Sequence, residues 1–308
     1  VKIHHALAPR ESTRPLVLAI GFFDGFHRGH REIVRALLRL RRPGYRAAVL
    51  SFRNHPATHL RPASVPPLIT TPEERVDLLA KSGIDELYLV PFNASLALLD
   101  ARRFLEDIVL GQLRASALVT GSNFRFGRGR TGDAALAAEV MAAHGAQAHG
   151  VAPMLEDGER ISSTRVRAAI QRGDMDEADR LLCDAYTLRG RVVLGRGLGH
   201  DLGFPTANLD VPAGKLVPKE GVYRITARHD GRDYRGLVSI GTNPTFGPNA
   251  KTVEAWLQDF HKTVYGEEIA LRDFAFIRDQ KVFQSAEELV EQMHEDATHV
   301  KFPAFSTS

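Results

Sequence analysis

VLAIGFFDGFHRGHREIVRAL, residues 17–37, decides the fold of the first half of the chain. Val17, Leu18, Ala19 and Ile20 form a continuous apolar run, the pattern of a strand covered on both faces in a parallel sheet. Ile33, Val34, Leu37 and Leu38 then recur at helical spacing. Between strand and helix stand Gly21, Gly25 and Gly29, which permit a tight turn and close approach of a ligand to the backbone. The helix start adds unpaired N–H groups and a positive dipole end, so the segment suits phosphate. His27 and His30 share a face there and can donate to the same phosphate oxygens. The expectation is nucleotide chemistry without a P-loop; for two spaced histidines alone, a surface helix or a metal site are the alternatives. A zinc site needs a further ligand cluster, and neither HExxH nor paired cysteines occur.

Outward from this segment, the strand-like AAVLSF (47–52) leads into a proline-broken loop containing His55 and Pro56. Thr71, Pro72 and Glu74 open a helix as cap, first-turn proline and capping-box acid, and Gly83 closes it. ELYLVPF (86–92) and ALVTG (117–121) are further strand candidates, with helices expected around RRFLEDIVLGQL and in DAALAAEVMAAHG. Strands alternating with helices imply an α/β domain on a parallel sheet, with ligands at the carboxyl ends of the strands, where His27 and His30 fall.

Near residue 186 the pattern changes to antiparallel β: TLRGRVVLG, GVYRITARH, RDYRGLVSIG, TVEAWLQDF and EIALRDFAFIR follow with hardly a helix between them. Asp230-Gly231 is the strongest hairpin signal, and strands of this kind solve their edge problem by closing into a small barrel. A last helix starts at Ser285, capped reciprocally with Glu288. Two domains are expected, 1–184 and 185–308, in keeping with the length of 308 residues.

Composition bounds the partners. Hydrophobic residues at 44% and charged residues at 25% describe a soluble protein, with no apolar run to span a bilayer and no signal-peptide core at the start. One cysteine, Cys183, excludes an internal disulfide and fits the reducing cytoplasm. A net charge of +3 is no nucleic-acid signature. The run Arg35, Arg39, Arg41, Arg42 and Arg46 lacks interleaved aromatics and reads as a solvated helix face in preference to an RNA patch.

Other motifs carry chemistry. GSNFRFGRGRTGD (121–133) can bend around a planar ligand: phenylalanines for ring contacts, Asn123 to donate and accept, arginines to neutralise phosphate. A plain surface turn is its alternative. ISSTRVR (161–167) gathers hydroxyls and arginines at a helix start, where Ser163 either caps the helix or helps clamp a triphosphate. GRGLGHDLGFPTANLD (195–210) departs from GxGxxG at His200, so a dinucleotide fold is not supported. Thr206 and Asn208 lie two apart, pointing both oxygens to one side of an extended segment as hard Mg²⁺ requires, unless the tetrapeptide is an ordinary turn. Glu254 faces away from Val253, Ala255 and Leu257; it is either solvent-facing or a general base beside a nucleotide site.

Taken in order, GFFDGFHRGH, the HP pair, GSNFRFGRGRTGD and ISSTRVR resemble the FMN adenylyltransferase module of bacterial bifunctional riboflavin kinase/FAD synthetases. The resemblance implies a Rossmann-like nucleotidyltransferase domain of the HxGH type. It makes His27, His30 and Arg167 catalytic toward the ATP phosphates, with Gly21, Phe23, Asp24, Gly25, Ser163 and Thr164 binding ATP and Asn123, Phe124, Phe126 and Arg130 binding flavin. Phe26 stands where that family commonly has valine, and Arg53-Asn54 where it often has Glu-Pro. GFPTAN, GVYRI, GTNPTFG, VEAWLQDF, YGEEIALRDFAFIR and EELVEQMHED similarly resemble the riboflavin kinase module, an antiparallel β-barrel with a terminal helix. That likeness assigns Gly197, Gly203, Thr206 and Asn208 to Mg²⁺-ATP, with Thr206 and Asn208 as metal ligands, and makes Glu254 the base toward the ribityl 5′-hydroxyl. Trp256 replaces a histidine often found there. The implied enzyme phosphorylates riboflavin to FMN and adenylylates FMN to FAD, with ATP and Mg²⁺ in both steps. The rivals are a chain retaining one activity and a non-catalytic flavin- or RNA-binding protein.

Overall fold

The computed structural model describes residues 1–194, 204–242 and 251–298. Two compact units, residues 1–165 and 166–308, divide within the helix Ser163–Arg172. This division precedes the change of strand pattern near 186 because the following helix, Met175–Leu181, and the end of Ser163–Arg172 are tied to residues of the second unit. Lys219 N donates to Ile170 O at 3.3 Å, and Tyr186 N donates to the Asp179 carboxylate at 2.8 Å.

The first unit is built on a six-stranded parallel sheet of β1 (Lys2–His4), β2 (Leu16–Ile20), β3 (Arg46–Phe52), β4 (Glu86–Val90), β5 (Ala115–Gly121) and β6 (Gln147–Val151). Their order is β1-β4-β3-β2-β5-β6, so the chain reverses its direction of travel across the sheet at β2 and β5, where such sheets open a crevice. All five residues of β2 are buried. Helix Arg28–Leu40 lays Val34 and Leu37 on the sheet. Thr71 and Glu74 form the expected capping box on helix Pro72–Ala80, and Gly83, at φ +87°, turns the chain after it. The RRFLEDIVLGQL segment is helical but departs from α geometry: Phe104–Gln112 is a π-helix, with Leu113 N reaching back to Ile108 O at 2.9 Å. A two-stranded hairpin of β7 (Leu155–Glu156) and β8 (Glu159–Arg160) precedes helix Ser163–Arg172. The arginine run divides: Arg35 pairs with Glu32 on its own helix, whereas Arg41 and Arg46 reach Asp85, the residue before β4.

In the second unit β9 (Leu188–Val193), β10 (Thr206–Asp210), β11 (Gly221–His229), β12 (Arg232–Thr242), β13 (Lys251–Leu257) and β14 (Glu268–Arg278) close a barrel in the order β10-β13-β12-β11-β14-β9. Closure pairs every edge, as the repeated alternation anticipates. Asp230 and Gly231, at φ +48° and +72°, make the left-handed turn that joins β11 to β12. Ala286–Thr298 is the last helix. Its cap is shifted by one residue from the expected box: Glu288 N donates to Ser285 Oγ, but the Glu288 carboxylate accepts from Gln284 N.

Candidate functional site

At the carboxyl end of β2 the chain passes through left-handed geometry at Phe23 (φ +56°), Gly25 (φ +79°) and Phe26 (φ +39°). Two non-glycine residues in that region are strained, and the Asp24 side chain holds them. Its buried carboxylate accepts from Ile69 N at 3.1 Å, Thr70 N at 2.9 Å and Thr70 Oγ1 at 3.1 Å, while Gly25 N donates to Thr70 Oγ1 at 3.0 Å. Asp24 therefore spends its charge on shaping the turn.

The turn delivers His27 as the N-cap of helix Arg28–Leu40, with its Nδ1 accepting from His30 N at 3.2 Å. That bond places the His27 proton on Nε2 and leaves Nε2–H as a donor. The His27 and His30 rings stack at 3.6 Å between centroids, 15° from parallel, and Phe23 lies 5.1 Å from the His30 ring. Gly29 makes this possible, since a Cβ there would come within 3.2 Å of the His27 ring. Burial, then the Arg160 charge, lowers His27 from 6.5 to about 4, even though Asp24 opposes the shift. His30 is driven well below 6.5 by burial, His27, Arg75 and Arg160. As a residue His30 is half-buried, but its ring Nδ1 is shut off from solvent without a hydrogen-bond partner. Both rings are neutral at pH 7, so they act as hydrogen-bond donors and not as fixed cations.

The ISSTR segment meets this turn. Ser162 Oγ accepts from Arg165 N at 3.3 Å and is the helix cap; Ser163 Oγ instead donates to Asp24 O at 2.8 Å. Capping by Ser163, one of its two sequence readings, is thus replaced by a tie to the histidine loop. Thr164 is exposed, and Arg167, one turn beyond Ser163 on the same helix, is 9% exposed.

An aromatic cavity opens at the same edge of the sheet, lined chiefly by Phe22, Phe52, Phe92, Phe104, Phe124 and Phe126, with Arg130 among its other walls. The loop after β5 is folded by Phe126–Gly132 backbone pairing, and Phe124 and Phe126 stack at 5.7 Å. Of the expected flavin residues, Phe124, Phe126 and Arg130 line this cavity; Asn123 is exposed and is not among its walls.

In the barrel, Val253, Ala255 and Leu257 of β13 point inward, and Glu254 and Trp256 outward. Register sets Thr206 opposite Trp256 and Asn208 opposite Glu254, while Ser239 of β12 flanks Glu254 on its other side. Directly paired residues share a face, so Thr206, Asn208 and Glu254 lie together on the outer surface. Phe204 packs on Trp256 at 5.5 Å and against His294 of the last helix at 4.9 Å. Thr206 also borders a cavity under residues 260–265. Gly197 and Gly203 lie outside the described residues.

The family model described as FAD synthetase matches residues 9–165, and the one described as riboflavin kinase matches residues 182–302. The bifunctional riboflavin kinase/FMN adenylyltransferase of Listeria monocytogenes is 33% identical over 303 residues, covering 96% of this chain and 95% of its own. That of Escherichia coli K12 is 35% identical over 292 residues, with 94% and 92% covered. The chain belongs to the bifunctional riboflavin kinase/FMN adenylyltransferase family. It is a transferase with both of that family's domains. A crystal structure described as a macrolide-efflux protein from Streptococcus pneumoniae matches with TM-score 0.89 at 29% identity, over 99% of this chain and 100% of that one. The efflux description stays with that structure; among the described residues no helix is long and apolar enough to cross a membrane.

Sequence reasoning missed Phe22, Phe52, Phe92 and Phe104. Phe22 had a signal, being part of the GFFDG turn, but the others sit on separate segments and meet only at the sheet edge. It also missed Arg160, whose charge bears on both histidines.

Proposed function

We propose that the barrel domain phosphorylates riboflavin to FMN and that the sheet domain adenylylates FMN to FAD, each with its own ATP. In the sheet domain an FMN phosphate oxygen attacks the α-phosphorus of ATP, the bond to the β-phosphate oxygen breaks, and pyrophosphate leaves. The nucleophile is already anionic, so no base is required; donors that meet the growing charge lower the barrier. The support is the pair of neutral stacked imidazoles at the strand ends, with His27 presenting Nε2–H, beside an aromatic cavity in the same unit. Ser163, Thr164 and Arg167 hold the triphosphate, and Phe124, Phe126 and Arg130 hold the flavin, with Asn123 at the exposed rim.

In the barrel the nucleophile is a neutral alcohol. Glu254 takes the proton of the ribityl 5′-hydroxyl as its oxygen attacks the γ-phosphorus and ADP leaves. Thr206 and Asn208 would hold Mg²⁺: both present oxygens on one face, beside Glu254, which is the donor set a hard cation takes. Bound there, the ion would neutralise phosphate charge. The single cysteine, Cys183, supports a reducing, cytoplasmic setting, with riboflavin, FMN and ATP as the small-molecule partners.

The test uses the full chain with riboflavin, ATP and Mg²⁺, resolving FMN and FAD by chromatography. His30→Ala should stop FAD formation while FMN accumulates. Glu254→Ala should suppress FMN formation while supplied FMN is still adenylylated. Loss of both steps from either change in a folded chain overturns the division of labour.

A further inference from the structure

The largest fully buried side chain in the described structure is a charged one, Arg75. It sits in the second turn of helix Pro72–Ala80, whose start is held by the Thr71–Glu74 capping box. Burying a guanidinium is costly unless its face and its N–H groups find partners. Here the face covers the Phe22 ring at 4.2 Å. Nη1 donates to Phe52 O at 2.5 Å, and Nη2 reaches Thr70 O at 3.4 Å. One side chain thus joins the turn after β2, the end of β3 and the loop that also receives Asp24.

Two of those partners, Phe22 and Phe52, are walls of the aromatic cavity, whereas Arg75 itself is not. Phe22 is fixed from its other sides as well: Ser51 Oγ donates to Phe22 O at 2.9 Å, and the His55 ring meets the Phe22 ring edge-on at 4.7 Å. Phe52 in turn contacts Phe92 at 5.1 Å. Removing the guanidinium would free the Phe22 rotamer and take the Arg75 donor from Phe52 O, so the wall would loosen; the Arg75 charge also bears on His30, and a lysine would keep that charge while losing the flat face.

We propose that Arg75 is a positioning residue for adenylyl transfer, holding Phe22 and Phe52 as the wall against which the flavin ring of FMN packs. This rests on the reading of the cavity as the flavin site. A lysine does not substitute, because an ammonium has neither the flat face nor the two-pronged donor geometry.

The experiment compares Arg75→Lys and Arg75→Met with Phe124→Ala, a cavity wall that Arg75 does not contact, all in the full-length chain. KM and kcat for FAD formation are measured against FMN and against ATP, with riboflavin phosphorylation and thermal midpoint on the same samples. Arg75→Met should raise KM for FMN about tenfold, the scale of a desolvated cation–π contact, and leave riboflavin phosphorylation unchanged. Arg75→Lys, which keeps the charge that bears on His30, should raise KM for FMN with KM for ATP unchanged, and it decides the matter if the methionine variant does not fold. A loss confined to kcat and thermal midpoint, with KM for FMN unmoved, means that Arg75 is merely structural and overturns the proposal. If Phe124→Ala raises KM for FMN and neither Arg75 variant does, the positioning role alone fails. If all three leave it unchanged, the flavin reading of the cavity fails with it.

Discussion

Gly29→Ala separates stability from adenylyl transfer within one methyl group. Gly29 is the second residue of helix Arg28–Leu40, and an alanine Cβ would stand 3.2 Å from both Cε1 and Nδ1 of His27. The ring must give by a few tenths of an ångström. It cannot give freely, because its other face is stacked on His30 at 3.6 Å and its Nδ1 is bonded to His30 N at 3.2 Å. A misplacement of about 1 Å at a reacting centre costs on the order of a hundredfold, so a shift of about a third of that should lower FAD formation about fivefold to tenfold. Helix propensity runs the other way, alanine being favoured over glycine by about 0.5–1 kcal/mol. The expected outcome is slower conversion of FMN to FAD, unaltered conversion of riboflavin to FMN, and a thermal midpoint no lower than the parent's. FAD formation at the parent rate in a folded Gly29→Ala chain would refute the steric reasoning. So would a parallel fall of both activities with the midpoint.

Acid stability follows from His27. The folded chain holds its imidazole at about 4 against 6.5 for the free side chain, so the unfolded state binds the proton first as pH falls. The contribution is complete above 6.5 and is lost downward from there toward 4, amounting to about 2 kcal/mol between pH 7 and pH 5. Denaturant midpoints at those two pH values should differ accordingly in the parent, and less so in His27→Gln; equal sensitivity in both would count against the assignment. Gly127, at φ +71°, faces the Ala101 backbone so closely that an added Cβ would lie 2.4 Å from Ala101 Cα. Gly127→Ala should therefore destabilise the sheet domain by about 2 kcal/mol or more and weaken FMN use, read as a lower unfolding midpoint and a higher KM for FMN.

The inner strands of the sheet were legible because both faces are covered and each reads as an unbroken apolar run. The outer strands β1 and β6 were not: KIH and QAHGV are partly exposed edge strands, so no apolar run marks them. The capping box on helix Pro72–Ala80 was readable from three residues, but the burial of Arg75 four residues into the same segment was not. A charged residue near a helix start reads as solvated until the turn after β2 supplies the Phe22 ring and the end of β3 and the loop before the helix supply the carbonyl oxygens of Phe52 and Thr70. Ser162 and Ser163 are alike in composition, and only the approach of Asp24 O separates the cap from the tie.

What the sequence determined by itself was local: a strand, turn and helix that put two histidines at a phosphate-ready N-terminus, and a period of two that put Thr206, Asn208 and Glu254 on the outward parity of their strands. These properties depend on a few consecutive residues and their backbone geometry. The tertiary structure alone decided that the two imidazoles are neutral, that six phenylalanines from five segments enclose one cavity, and that Asn208 stands directly across from Glu254. Desolvation, enclosure and strand register are set by what packs alongside, and distant parts of the chain supply those neighbours only once it has folded.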